Sequence, residues 1–237
     1  MKIAIAQQNY SIGDFGKNAS RILRAIFDAR QQGADMIVFP EMSVCGSFPF
    51  DLLLQEDFME TTMQTLQRIA SETYGIIVLV GCPSYCSDET EKRVYNSVLL
   101  IENGTITRRF NKKQLTLSEQ AYFVTDKEPN YFELKNKKIA VCVGNDAPED
   151  INGISMAINC TAKTYVYKNS AKSLQFSKCT YPVVSVNQCG ANTENTYEGH
   201  SIVLDKQGNC IVQLPYFEQT LAYFETEKEY QPITDEQ

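Results

Sequence analysis

MIVFPEMSVCGSFPFDLLLQEDF, residues 36 to 58, opens as a strand and closes as the start of a helix, with a proline, a glutamate and small residues between. Residues 35 to 39 (DMIVF) are apolar and β-branched and stop at Pro40, the pattern of a short strand buried on both faces. Upstream, residues 2 to 8 (KIAIAQQ) read the same way. Between the two strands Ile22, Leu23, Ala25, Ile26, Phe27 and Ala29 recur at helical spacing and end at Gly33. Downstream, Phe58, Met59, Thr62, Met63, Leu66, Ile69 and Ala70 share one face of a second helix closed by Gly75, and residues 76 to 82 (IIVLVGC) follow as a strand. Two stacked β-α-β units are expected, with helices over residues 18 to 32 and 57 to 74.

From residue 95 the pattern turns antiparallel: SVLLIENGTITRRF reads as a hairpin around Asn103-Gly104, which supply the positive φ angles of a tight turn. Further strands are expected at KKIAVCVGND (137 to 146), ISMAINC (154 to 160), PVVSVNQC (182 to 189), HSIVLD (200 to 205), NCIVQL (209 to 214) and LAYFET (221 to 226). One modest helix is expected at about 168 to 178, and Gln207-Gly208 turns the penultimate strand pair. The fold class is α/β, with one domain over residues 1 to 226 and an acidic tail or linker over 227 to 237.

A chain of 237 residues with 43% apolar content can bury one sizeable core. Twenty-two basic against 29 acidic residues give a net charge of −7, which argues against nucleic acid or an anionic membrane as partner. The apolar run in MKIAIAQQNY is too short for a signal peptide core or a membrane span, so a cytoplasmic protein is expected. Eight cysteines without a CxxC pair, several of them in apolar strands, fit reduced buried thiols better than disulfides. The Asn-X-Ser/Thr triplets at Asn18, Asn103 and Asn159 then carry no glycan. With His200 the single histidine beside Cys82 and Cys86, no zinc site is expected, nor any cofactor.

Glu41 follows a buried strand, so its carboxylate emerges at a strand end among apolar neighbours. That setting raises a carboxylate's pKa and suits a general base; capping of the following turn is the plainer alternative. FPEMSVCG-FPFDLLLQEDF resembles the first signature of the nitrilase, or carbon-nitrogen hydrolase, superfamily, and most closely the glutaminase domain of glutamine-dependent NAD+ synthetases. KIAIAQQNYSIGDFGKN, VYNSVLLIENG, FNKKQL, SEQAYF, KKIAVCVGND and VVSVNQCG follow in the family order, so the resemblance covers nearly the whole chain.

The resemblance implies a four-layer α-β-β-α sandwich of two mixed sheets, associating into homo-oligomers. It also implies a Glu, a Lys and a Cys that together hydrolyse a carboxamide through a thioester. Carried over by position, the base is Glu41 and the cation Lys112, with Lys113 as the alternative and a solvated surface lysine the plain reading of either. Glu119 matches a second carboxylate that positions substrate and lysine; alone it would read as a helix-entry residue.

The nucleophile's place is taken by Gly144, the following glutamate's by Asn145, and Asp146 alone is kept. In the family a helix follows the nucleophile; here APEDING, with Pro148 and Gly153, disfavours one. Ser47 stands at a position usually tyrosine in the synthetase branch, and Cys160 where the family has proline, so Ser47, Asn145 and Cys160 mark altered substrate contacts. Cys142, on the strand face of Gly144, sits a two-residue step of about 6.6 Å away, and Cys160 is the nearer candidate for a displaced nucleophile. Three functions are in view: a non-catalytic relative, an amidase with a relocated nucleophile, and a module binding a small carboxamide or carboxylate with Lys112 as the anion's partner. Implied partners are a small amide such as glutamine and an ATP-dependent NAD+ synthetase domain or subunit.

Overall fold

The computed structural model describes residues 1–86, 94–148, 151–167, 176 and 179–233. β1 (Lys2–Gln7), α1 (Phe15–Gln31), β2 (Met36–Val38), α2 (Glu56–Ser71) and β3 (Ile77–Tyr85) form the two β-α-β units; β4 (Val94–Glu102) and β5 (Thr105–Asn111) form the hairpin. β6 (Tyr131–Leu134), β7 (Lys137–Val143), β8 (Ile154–Thr161), β9 (Val183–Asn187), β10 (Cys189–Asn192), β11 (Asn195–Glu198), β12 (Ile202–Leu204), β13 (Cys210–Gln213) and β14 (Thr220–Glu225) follow. One six-stranded sheet has the order β14-β1-β2-β3-β4-β5 and the other β13-β12-β9-β8-β7-β6, both mixed, with β10-β11 a separate hairpin. The first strand pairs antiparallel with the last, Lys2 opposite Glu225, so both ends of the domain close one sheet.

Residue size sets which face each strand buries. In β1, Ile3 and Ile5 point between the sheets while Ala4 and Ala6 face α1, whose Ala19, Ile22, Ala25, Ile26 and Ala29 lie on them. Small residues under the helix let its axis approach the sheet. β7 repeats the arrangement: Ile139, Val141 and Val143 join the inter-sheet core, whereas Ala140 and Cys142 face outward with Ala157, Phe176 and Val183. Cys142 therefore packs in the outer layer, not at the site where the chain turns at Gly144.

The helices α1 and α2 cover one sheet as expected. The helix expected near 168 to 178 lies outside the described residues, apart from Phe176. Between β7 and β8, which run parallel, the described residues 144–148 and 151–153 hold turns and irregular chain but no helix.

Residues 227–233, within the stretch expected to be an acidic tail or linker, contact the neighbouring strands. The Tyr230 ring lies 5.3 Å from that of Phe224, tilted by 37°, Glu225 N donates to Tyr230 Oη at 3.0 Å, and Ile233 N donates to Cys210 O at 2.8 Å. An aromatic contact and two hydrogen bonds hold this mostly exposed segment against the strands.

Candidate active site

Glu41 sits three residues beyond β2, in a loop bent by unusual backbone: Met42, Phe48 and Phe50 have φ of 55°, 58° and 48°. Non-glycine residues at positive φ are costly and persist only where packing over-determines them. Here the packing is visible at Gly81 of β3, where an added Cβ would lie 2.3 Å from Pro40 O, 2.4 Å from Met42 N and 2.6 Å from Glu41 Cα. Glycine at 81 lets the Glu41 backbone press onto the strand.

Lys112 follows β5, its N–H donating to Asn96 O at 2.8 Å, which carries the pairing with β4 one step further. Glu119 opens a short 3-10 turn, Glu119–Ala121, and its Oε2 accepts from both Thr116 N and Thr116 Oγ1 at 2.9 Å. The three side chains meet: Lys112 Nζ lies 3.0 Å from Glu41 Oε1 and 2.6 Å from Glu119 Oε1, all buried. Burial pushes the Lys112 ammonium's pKa down, but the carboxylates of Glu41 and Glu119 outweigh it and hold the group above an ordinary lysine. Lys113, the alternative cation, turns away to Asp126 Oδ1 at 2.7 Å.

Glu41 takes two further donors, Asn96 Nδ2 to Oε1 at 2.5 Å and Ala162 N to Oε2 at 3.2 Å. Ser47 Oγ lies 2.8 Å from Gln188 Oε1 and 3.1 Å from Glu41 O, so Ser47 ties the loop to the β9–β10 junction. Asp146 accepts from Lys113 N at 2.9 Å and Gln114 N at 2.8 Å, pinning the chain just after Lys112. Burial pushes the Asp146 carboxyl up to about 6 despite those backbone bonds.

Gly144 lies at the centre of this group. Its φ is +62°, its N–H donates to Cys160 O at 2.8 Å, and a Cβ built on it falls 2.5 Å from Lys112 Nζ and 3.0 Å from Glu41 Oε2. Glu41, Lys112 and position 144 therefore converge, and a side chain at 144 would meet the end of Lys112. Asn145 points to solvent and Cys160 is wholly buried in the inter-sheet core, so neither lines a substrate cleft. Burial, then the nearby Glu41 charge, pushes the Cys160 thiol far up, away from the thiolate that nucleophilic attack requires.

Beside the charged group opens a small cleft. Glu41, Ser47, Asn96 and Glu119 supply its polar wall; Phe48, Phe50, Leu53, Tyr122 and Phe123 are among its apolar residues. Asn96 and the aromatic rim were not singled out from sequence. Asn96 had a readable signal, an amide buried inside the otherwise apolar strand VYNSVLL.

The sequence matches the carbon-nitrogen hydrolase family over residues 2–232. The chain is 32% identical over 251 residues to the glutamine-dependent NAD(+) synthetase of Synechocystis sp., covering 93% of this chain and 45% of that protein. It is 28% identical over 240 residues to the Aquifex aeolicus synthetase, covering 93% and 41%. Among solved structures, glutamine-dependent NAD+ synthetase from Acinetobacter baumannii, in complex with ADP, superposes with a TM-score of 0.85 at 25% identity, over 99% of this chain and 48% of that one. An amidase from Nesterenkonia sp. superposes with a TM-score of 0.80 at 20% identity, over 94% of this chain and 89% of that one, a likeness of fold. The chain thus spans less than half the length of these synthetases, and it shares its fold with part of the Acinetobacter baumannii synthetase and with most of the Nesterenkonia amidase. On the strength of a family match over residues 2–232, it belongs to the carbon-nitrogen hydrolase family.

Proposed function

We propose that this chain is a non-catalytic glutaminase-like domain: it keeps the fold, the Glu41–Lys112–Glu119 group and a cleft, but does not hydrolyse amides through a thioester. The observation that carries this reading is Gly144. The position faced by Glu41 Oε2 and Lys112 Nζ has no side chain. Without a covalent nucleophile the two-step acyl transfer has no first step, and such losses cost many orders of magnitude in rate. A displaced thiol is disfavoured because Cys160 is wholly buried with its pKa raised and Cys142 faces the outer layer.

In this reading residues 1–226 form the domain, the resemblance to synthetases points to an ATP-dependent NAD+ synthetase domain or subunit as partner, and association into a homo-oligomer follows the family habit. Ammonia for such a partner would come from solution. Mass spectrometry after treating the native protein with an electrophilic glutamine analogue tests the proposal. No adduct is expected on Cys142 or Cys160; a stoichiometric adduct on either would overturn it.

A further inference from the structure

The dipeptide Asn-Gly occurs twice, at Asn103-Gly104 and Asn152-Gly153, and the fold treats the two pairs differently. An asparagine followed by glycine is open to attack by the next peptide nitrogen on its own side-chain amide carbon, because glycine has no side chain to block the approach. That attack requires the nitrogen to give up its proton and the backbone to bend around it.

Asn103-Gly104 is guarded against it. The pair forms the tight turn between β4 and β5, with Glu102 opposite Thr105. Gly104 N–H donates to Thr73 O at 2.7 Å, and a Cβ built on Gly104 would lie 2.9 Å from Tyr74 Oη. Asn152-Gly153 is open. Both residues are exposed, nothing lies within 4 Å of a Cβ built on Gly153, and Gly153 N–H has no hydrogen-bond partner among the described residues. Lys138, opposite Ile154 in the β7–β8 ladder, donates from Nζ to Asn152 O at 3.1 Å. That oxygen belongs to the same peptide group as Gly153 N, so an ammonium on it stabilises the anion left when the N–H loses its proton.

From the open turn and the cation on its peptide carbonyl, we propose that Asn152 is a site of self-deamidation assisted by Lys138. Gly153 N gives its proton to hydroxide and forms a bond to Asn152 Cγ. The Cγ–Nδ2 bond breaks, Nδ2 takes a proton from water and leaves as ammonia, and a five-membered succinimide remains. Water then opens either ring carbonyl, giving aspartate or isoaspartate. One water is consumed and one ammonia released. The product adds a negative charge to the crossover between β7 and β8, and isoaspartate lengthens its backbone by one carbon. The inference is independent of the non-catalytic reading, since it involves neither Glu41, Lys112 nor Gly144.

The test is peptide mass mapping of the purified full chain during incubation at mildly alkaline pH, folded and in guanidinium chloride. In the folded chain Asn152 is expected to convert at least about fivefold faster than Asn103, whose following peptide N–H is tied in a hydrogen bond. Aspartate and isoaspartate are both expected at residue 152, since the succinimide opens on either side. In guanidinium chloride the two rates are expected to come within about twofold of each other. Equal rates in the folded chain, a faster Asn103, aspartate without isoaspartate, or a difference of the same size after unfolding overturns the proposal.

Lys138→Met removes the charge and keeps an unbranched side chain beside the Tyr131 ring. It is expected to slow Asn152 about threefold in the folded chain, the weight of an exposed charge contact, while Asn103 keeps its wild-type rate. Lys138→Arg keeps a cation and is expected to keep the wild-type rate at both sites. An unchanged Asn152 rate in Lys138→Met overturns the lysine's part. Should that variant unfold, which a faster Asn103 would reveal, concentrated sodium chloride must slow Asn152 alone in the wild-type chain by screening the ammonium. Absence of that selective slowing overturns the same part.

Discussion

Two regions meet at the site and differ in how tightly their side chains are bound to one another. On the first sheet, the loop after β2 and the end of β5 deliver Glu41 and Lys112, joined by Glu119 through a closed set of buried bonds. On the second, the chain leaving β7 presents Gly144 and an exposed Asn145, then reaches β8 by residue 154 without a helix among its described residues. A buried ion group is held in place by the penalty for removing any one member, whereas a short crossover with a glycine at its turn carries no such constraint. On the non-catalytic reading proposed above, the charged group persists beside Gly144 because it is part of the packing.

The sharpest way to break that comparison is to remove the shared cation. Lys112→Met leaves Glu41 and Glu119 buried without a counter-charge, and urea denaturation is expected to show a loss of about 3–5 kcal/mol. A loss below 1 kcal/mol would mean that the group is no structural unit.

Gly81→Ala strikes the same region from behind. Its Cβ would meet backbone atoms at 2.3 to 2.6 Å, none of them the end of a flexible side chain, so a loss of roughly 2–3 kcal/mol is expected by the same measurement.

Asp146 links the two regions, and its raised pKa gives a signed pH dependence. The folded state holds a proton on this carboxyl up to about pH 6, where the unfolded chain releases it near its ordinary value of 3.8. Between those pH values the native state binds more protons than the unfolded one, so this group's contribution to stability falls as pH rises through the window. Asp146→Asn removes the titration while keeping an acceptor for Lys113 N and Gln114 N. The stability difference between variant and wild type is expected to change by on the order of 2 kcal/mol from pH 3.5 to pH 7, in favour of the variant at the higher pH.

The smallest effect probes the second region directly. Gly144→Ala and Gly153→Ala both place a side chain at positive φ, +62° and +79°, but only the first meets Lys112 and Glu41, with nothing within 4 Å of the second. Each is expected to cost about 1–2 kcal/mol from the backbone. Gly144→Ala should cost up to about 1 kcal/mol more as the lysine end shifts. Equal losses would show that the room at 144 is wider than described.

Much of this fold was legible because large and small residues alternate along the central strands, as in KIAIAQ and KKIAVCV, and because the helical faces stop at glycines. β6 and the β10–β11 hairpin were not foreseen. YFEL is short and carries a charge, while CGAN contains a glycine and NTYE is mostly polar, with a turn at Thr193, whose φ is +48°, between them. Such strands form because neighbouring chain supplies the ladder, not because their own residues favour one. In the site, Glu41 stood out at a strand end and Lys112 and Glu119 through the family order of motifs. What no local pattern discloses is the lysine's position over Gly144, or the Asn96 amide left with a free acceptor, since both depend on side chains brought together from four separate segments.

The central claim is that the retained base and cation do not hydrolyse amides without a thiol at position 144. It is tested most directly by measuring ammonia released from glutamine by the purified chain. Release indistinguishable from a protein-free blank is the predicted result. Turnover above blank that disappears in Glu41→Gln would contradict it.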